Sequence, residues 1–205
     1  DQDWLIGGDG ADSLLGGSGW DWLLGGAGAD SLDGGDEGDT LRGDAGNDAL
    51  QGGDDSDELH GGDGDDLLDG GAEGDWLWGG AGADVLRAGT SQSPDYAWFA
   101  VNTFGYAAAS ESAGAAIDTI LDFVAGRDNI MLAFDADVTL AGTQQFTFVG
   151  NSAFSGAGQL RFDDIGGGTY RILGTTDANI DTAEFEVVVT ATHAPDAGWF
   201  DDWWW

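Results

Sequence analysis

The 205-residue chain contains no cysteine and no lysine, and its five basic side chains are all arginines. Without cysteine, neither a disulfide scaffold nor a thiolate metal site can form. No apolar run approaches the roughly 18 residues of a membrane span, and no basic stretch followed by an apolar one resembles a cleavable signal peptide. The 39 acidic residues give a formal net charge of −34. This charge excludes nucleic acid and anionic membranes as natural partners and favours a cationic one.

Aspartate recurs every nine residues through the first part of the chain. A leucine follows each of these aspartates by two positions, and a glycine precedes nine of the ten by five positions, so the unit is GGxGxDxLx. Such a unit has too few apolar residues to bury a core alone, so the units must stack with their leucines inward. The ten aspartates are Asp3, Asp12, Asp21, Asp30, Asp39, Asp48, Asp57, Asp66, Asp75 and Asp84.

This unit resembles the nonapeptide of RTX (repeats-in-toxin) calcium-binding proteins. The resemblance implies a parallel β-roll over residues 1–89, in which two nonapeptides form one 18-residue turn with a loop on each side. Stacked strands lie about 4.8 Å apart and calcium–oxygen bonds measure about 2.4 Å, so an ion between stacked loops can reach aspartates 18 positions apart.

The resemblance implies that all ten aspartates bind Ca²⁺, with about eight ions for the eight pairs of aspartates 18 positions apart. Backbone carbonyls of the glycine-rich loops are expected to complete the ligand set. The glycines expected to supply them are Gly7, Gly8, Gly10, Gly25, Gly26, Gly28, Gly61, Gly62, Gly64, Gly79, Gly80 and Gly82.

The repeat divides into two columns of loops. The first loop column precedes Asp12, Asp30, Asp48, Asp66 and Asp84, and its fourth position is always glycine. The second loop column carries the other five aspartates, and its fourth position changes from Gly19 to Glu37, Asp55 and Glu73. We therefore expect the first loop column to hold calcium more regularly.

One of the two predicted sheets directs tryptophans outward, at Trp4, Trp22, Trp76 and Trp78. Exposed aromatic patches usually mark contact surfaces, so this tryptophan face is a candidate for binding a glycan or a protein. The alternative is that it packs against the C-terminal half, or against a domain that precedes the chain.

The repeat frame fades after Arg87 and returns at Asn102 and Phe104, which predicts a degenerate last turn or cap over 90–106. Residues 107–205 then read as an all-β domain. Its expected strands are 117–123, 129–132, 145–149, 159–163, 169–173 and 185–190. Asp118, Asp122 and Asp128 are candidates for closing the roll, with turn capping as the ordinary alternative.

Three strings in this half resemble the C-terminal domain of serralysin-type secreted metalloproteases: IDTILDFVAGRDNIML (117–132), QFTFVGNSAFSGAGQLRF (145–162) and TDANIDTAEFEVVV (176–189). The resemblance implies a β-sandwich-like domain that caps the roll and carries an uncleaved signal for type I secretion. It therefore implies a bacterial exporter as partner and an extracellular location. The expected end of that signal is Asp202, Trp203, Trp204 and Trp205, and Asp177, Asn179 and Asp181 resemble an incomplete calcium loop.

No catalytic motif accompanies these features. The chain has no HExxH zinc motif, no G-x-S-x-G, and no cysteine or lysine nucleophile, so we expect no enzyme activity and assign no catalytic residue. The leading hypothesis is a secreted module that folds on binding extracellular calcium. One alternative is a calcium-scaffolded interaction protein that uses the tryptophan face, and another is the C-terminal remnant of a secreted hydrolase whose catalytic domain lies upstream of Asp1.

Overall fold

The structure is a computed structural model that describes residues 1–89, 101–107, 109–112, 116–124, 127–132, 147–153, 155–176, 185–191, 193–196 and 199–201. These residues form two β-sheets and one short 3₁₀ helix. The predicted all-β class and the parallel β-roll are confirmed. Among the described residues, no helix is both long and apolar enough to cross a membrane.

Ten strands form the roll and alternate between the two sheets. They are β1 (Trp4–Asp9), β2 (Ser13–Ser18), β3 (Trp22–Ala27), β4 (Ser31–Asp36), β5 (Thr40–Ala45), β6 (Ala49–Gly53), β7 (Glu58–Asp63), β8 (Leu67–Gly71), β9 (Trp76–Ala81) and β10 (Val85–Arg87). Each strand pairs in parallel with the strand two places further along, in a register of 18 residues that sets Leu5 opposite Leu23.

The first nine strands run from the residue after each repeat aspartate into the glycines of the unit. They have five or six residues because the paired glycines continue the backbone ladder, as where Gly8 lies opposite Gly26. The glycine-rich part of each unit therefore belongs partly to a strand and not only to a loop.

The repeat leucines form the core between the two sheets, as predicted. From Leu23 to Leu86 they are at most 2% exposed, whereas Leu5 and Leu14 in the first turn are only partly buried. Burying one leucine side chain contributes about 1.5 to 3 kcal/mol. Because each nonapeptide offers little other apolar surface, this leucine column is the main hydrophobic stabilisation of the roll.

The C-terminal strands extend the same two sheets. They are β11 (Thr103–Tyr106), β12 (Asp118–Phe123), β13 (Asn129–Leu132), β14 (Thr147–Phe148), β15 (Gln159–Gly166), β16 (Thr169–Thr175), β17 (Phe185–Ala191) and β18 (Phe200–Asp201), and the 3₁₀ helix spans Ala109–Ser112. β11, β13 and β18 continue the sheet of β9, whereas β12, β17, β16, β15 and β14 continue that of β10.

The C-terminal strands cover the end of the roll. Phe104 lies opposite Leu77 in parallel register, which confirms the predicted return to the repeat frame. Phe123 packs against Trp199 with ring centroids 4.6 Å apart, and both side chains are at most 1% exposed. All six strands predicted beyond residue 106 are present as β12 to β17. Residues 90–100 of the predicted last turn lie outside the described residues.

Candidate calcium sites in the roll

The repeat aspartates are linked from turn to turn by hydrogen bonds. The backbone N–H of Asp3 donates to Oδ1 of Asp21 at 2.7 Å, and that of Asp12 donates to Oδ1 of Asp30 at 2.8 Å. The same bond repeats up both columns as far as Asp75 and Asp84, with N···O distances of 2.7 to 3.0 Å. We call this series the aspartate ladder. It occupies Oδ1 of the eight carboxylates from Asp21 to Asp84.

In nine of the ten repeat aspartates, all except Asp3, the Oδ2 atom is buried without a hydrogen-bond partner. This holds for Oδ2 of Asp12, Asp21, Asp30, Asp39, Asp48, Asp57, Asp66, Asp75 and Asp84. Each of the five arginines instead pairs with a carboxylate outside this set, as Arg42 does with Asp44 and Arg87 with Asp69. A buried charge without a partner is costly, so the ladder requires a counter-charge that the described residues do not supply.

A glycine makes room for each free oxygen over most of the roll. A Cβ at Gly7 would lie 2.6 Å from Oδ2 of Asp12 and 2.7 Å from the backbone oxygen of Gly25. The same pairing of a carboxylate oxygen with a carbonyl 13 residues later recurs at seven glycines: Gly7, Gly16, Gly25, Gly34, Gly43, Gly52 and Gly61. These seven glycine cradles combine carboxylate and carbonyl oxygens, the donors that Ca²⁺ prefers.

Only some of the predicted carbonyl ligands lie in the cradles. Gly25, Gly61 and Gly79 present their carbonyls to an aspartate Oδ2, whereas the carbonyls of Gly8 and Gly62 face a glycine one turn further on. Sequence reasoning missed the carbonyls of Gly34, Gly43, Gly52 and Gly70. Their common position as the first glycine of each unit is the signal that could have found them.

The two loop columns differ in backbone geometry. In the first loop column, the N–H of the fourth-position glycine donates to the loop one turn on at 2.7 to 2.8 Å, from Gly10 to Gly64. The glycines there have φ between 113° and 147°, whereas Glu37, Asp55 and Glu73 in the second loop column have φ of 72° to 75°. Residues with a Cβ avoid the wider φ values, so their loops follow another path. This regularity favours the first loop column for calcium binding.

Burial raises the pKa of the six ladder carboxyls from Asp39 to Asp84. The pKa of Asp57 rises to about 8, those of Asp66 and Asp75 to about 7, and those of Asp39 and Asp84 to about 6. Loss of hydration is the main cause, and neighbouring carboxylates add to it. Near neutral pH, these buried carboxyls therefore favour the folded state only when they bind protons or when cations neutralise their charge.

The donor set fits calcium better than a transition metal. Among the described residues, no three His, Cys, Asp or Glu side chains lie close enough to hold an ion by themselves. Each cradle instead offers one carboxylate oxygen together with a backbone carbonyl, a hard, oxygen-only set.

The tryptophan face divides into two parts. Trp4 and Trp22 are 74% and 51% exposed, and their rings stack at 5.0 Å. Trp78 instead lies over Gly105 of β11, where a Cβ would meet its ring. This end of the tryptophan face therefore packs against the C-terminal half, which was the alternative predicted from the sequence. Trp76 is 45% exposed.

The candidates for closing the roll have separate roles. Asp118 accepts the backbone N–H of Asp84 at 2.9 Å, and Asp128 accepts that of Asn102 at 3.2 Å, so both extend the ladder. Asp122 lies on the surface and pairs with Arg87. The candidates Asp177, Asn179, Asp181, Asp202, Trp203, Trp204 and Trp205 lie outside the described residues.

A family model for the RTX calcium-binding nonapeptide repeat (4 copies) matches residues 1–32, 33–68 and 60–91. The repeat half of this chain belongs to that family. RTX repeats bind calcium, which agrees with the oxygen-lined cradles. The match ends at residue 91, so Asp118, Asn102 and Asp128 extend the ladder of the RTX roll beyond the recognised repeats.

Two subunits of one enzyme are among the solved structures that match this chain. The AlgE6R2 subunit of the Azotobacter vinelandii mannuronan C5-epimerase is 24% identical, with 96% of this chain and 90% of that chain covered and a TM-score of 0.42. The AlgE6R3 subunit of the same enzyme is also 24% identical, with 90% and 72% covered and a TM-score of 0.32. No curated protein matches the chain.

Replacing a cradle glycine by alanine should weaken the roll. At Gly16 a Cβ would lie 2.6 Å from both Oδ2 of Asp21 and the carbonyl of Gly34. We expect Gly16→Ala to lower the free energy of unfolding in calcium by about 1 to 3 kcal/mol and to raise the calcium concentration needed for folding. Gly156→Ala is the control, because a Cβ there meets no atom within 4 Å. Equal urea midpoints for both variants would contradict the role of the cradle in stabilising the roll.

The calcium-free roll should gain structure as the pH falls. The raised pKa values mean that the folded ladder binds more protons than the unfolded chain. The resulting stabilisation is complete below the unfolded value near pH 4 and is lost as the pH rises through 6 to 8. Far-UV circular dichroism of calcium-stripped protein should therefore show more β-structure at pH 5 than at pH 8.5. A signal that weakens on acidification would contradict this.

Proposed function

We propose that this protein is a non-catalytic RTX module that folds when its ladder aspartates bind extracellular calcium, and that its C-terminal half directs export through a type I exporter. The observation that carries the proposal is the recurrence of buried, unpartnered Oδ2 atoms beside glycine carbonyls. Calcium would supply the positive charge that neutralises these carboxylates.

Charge explains why folding should depend on the compartment. Residues 1–89 hold 23 acidic and 2 basic side chains, and the ladder brings ten of the acidic groups into two columns. Without cations, mutual repulsion and the cost of burial oppose the fold. In a calcium-poor cytosol the repeats would stay extended, which suits passage through an exporter. Outside the cell, sites with dissociation constants of about 10⁻⁴ to 10⁻³ M fill and the roll folds.

The secretory part of the proposal rests on sequence. The strings at 117–132, 145–162 and 176–189 resemble the serralysin-type secretion domain, and RTX repeat proteins are typically secreted by bacteria. The acidic and tryptophan-rich segment Asp202–Trp205 would form the end of the signal.

Calcium should switch the isolated protein from disorder to β-structure. At pH 8, with calcium removed by a chelator, we expect a circular dichroism spectrum of an unfolded chain, and in millimolar calcium that of a β-protein. Millimolar magnesium serves as the ion control, because Mg²⁺ keeps its waters and demands a stricter geometry.

A pair of variants on the same turn sharpens this test. Asp66→Asn retains the Oδ1 acceptor of the ladder bond but removes the buried charge, and should raise the calcium midpoint several-fold. Asp63→Asn removes an exposed charge from β7 and should leave the midpoint nearly unchanged. A chain that is already fully folded in chelator at pH 8 would contradict the proposed function.

A second candidate function is contact with a partner through the exposed end of the tryptophan face. A groove there is lined by Trp4, Ile6, Trp22 and Leu24, with Thr40, Arg42 and Asp44 at its polar edge. Ile6 is 67% exposed, so the outer face of β1 and β3 is a continuous apolar surface of the kind that marks interaction sites. Its aliphatic floor favours an apolar segment of a partner protein over a glycan.

Replacing the two exposed tryptophans should separate contact from packing. The double variant Trp4→Ser/Trp22→Ser should keep calcium-induced folding but lose retention of extracellular proteins on a column of the immobilised chain. Trp78→Ser is the matched control, because Trp78 packs on Gly105, and it should impair folding instead. Equal retention by the wild type and the double variant would exclude this function, and binding to a glycan array alone would replace the protein partner by a glycan.

A further inference from the structure

The two columns of the aspartate ladder end differently beyond the recognised repeats. Above Asp75, the next acceptor is Asn102, whose Oδ1 takes the backbone N–H of Asp75 at 2.9 Å. Above Asp84, the next acceptor is Asp118, which takes the backbone N–H of Asp84 at the same distance. The ladder bond is thus kept in both columns, but an uncharged amide continues one and a carboxylate continues the other.

The last rung of the column that ends through Asn102 has its own counter-charge. Asn102 contributes no charge, and Asp128, the acceptor above it, pairs with Arg127 at 3.0 Å. Asp128 also accepts the backbone N–H of Val124 at 2.7 Å. Both carboxylate oxygens of this terminal rung are therefore bonded, and the rung is neutralised by an arginine without a metal ion.

Asp118 has no positively charged partner in the part of the chain that the structure describes. Its side chain is fully buried, and its Oδ2 atom has no hydrogen-bond partner, like those of the repeat aspartates below it. The groups around it are the carboxylates of Asp84 and Glu111 and the buried hydroxyl of Tyr106. That hydroxyl can donate a hydrogen bond to the Asp118 carboxyl, but it brings no positive charge. No arginine pairs with it, because all five pair elsewhere.

The backbone places Asp118 as one more repeat. The N–H of Thr119 donates to the carbonyl of Asp84 at 2.8 Å, as that of Val85 does to Asp66 one turn below. Ile120 then lies opposite Leu86 in the core. The ladder stops directly above, where Ser112 Oγ accepts the N–H of Asp118 at 2.9 Å.

We propose that a further calcium ion binds at the junction between Asp84 and Asp118, outside the nonapeptide repeats, and fastens the C-terminal strands to the roll. The inference rests on the proposed function, since it extends calcium binding by one rung. β12, which begins at Asp118, lies between β10 of the roll and β17 of the C-terminal part. An ion at its first residue therefore makes docking of the C-terminal strands depend on calcium.

Asp118→Asn tests the junction site. The asparagine keeps the Oδ1 acceptor for Asp84, as Asn102 does naturally in the other column, so the roll should still fold in calcium. We expect native mass spectrometry at saturating calcium to show one ion fewer than in the wild type. Hydrogen exchange of the β17 amides in calcium should become at least tenfold faster, whereas exchange in β5 should not change. Asp122→Asn, an exposed position on the same strand, is the control and should alter neither readout.

The outcomes separate this inference from the proposed function. A wild type that binds no calcium would overturn both. A wild type that folds with calcium, beside an Asp118→Asn variant with the same number of ions and the same exchange rates, would overturn the junction site alone. If the variant does not fold in calcium, a calcium-loaded wild-type crystal decides: an anomalous peak bonded to Oδ2 of Asp118 supports the site, and its absence overturns it.

Discussion

The buried carboxylate oxygen without a partner is the constraint on which the rest of this structure depends. From Asp21 onward, each turn of the roll buries one in each column, and the hydrogen bond through the other oxygen holds it in place. A folded chain that confines so much like charge needs a counter-charge from solution. The chain as a whole has a net charge of −34. In its first half, the repeat places part of that negative charge at regular positions that suit divalent cations.

The nonapeptide follows from this constraint together with the β-roll geometry. The aspartate must recur at one place per turn so that its carboxylate reaches the backbone one turn below. The first glycine of the unit must lack a side chain, because the free oxygen and a carbonyl of the next turn lie where a Cβ would be. The leucine must face inward to cover the opposite sheet. Each residue of the pattern thus has a separate physical reason.

Periodicity made much of the fold predictable. The spacing of nine indicated stacked units with a leucine core, and the resemblance to RTX repeats implied the two sheets and the 18-residue turn. The positions of Asn102 and Phe104 indicated that the roll continues past the repeats. The individual cradle oxygens could not be predicted, because they depend on which way each carbonyl turns in a closely packed loop. The role of Asp118 also needed the structure, since 34 residues separate it from Asp84 in sequence and only the pairing of β12 with β10 brings them together.

A crystal structure of the calcium-loaded protein at neutral pH would test the central claim most directly. The account predicts calcium ions bonded, at the usual distance of about 2.4 Å, to Oδ2 of the ladder aspartates and to the paired glycine carbonyls. The ladder hydrogen bonds through Oδ1 should remain. Cradles that stay empty in saturating calcium, with the Oδ2 atoms hydrogen-bonded to protein or water, would contradict it.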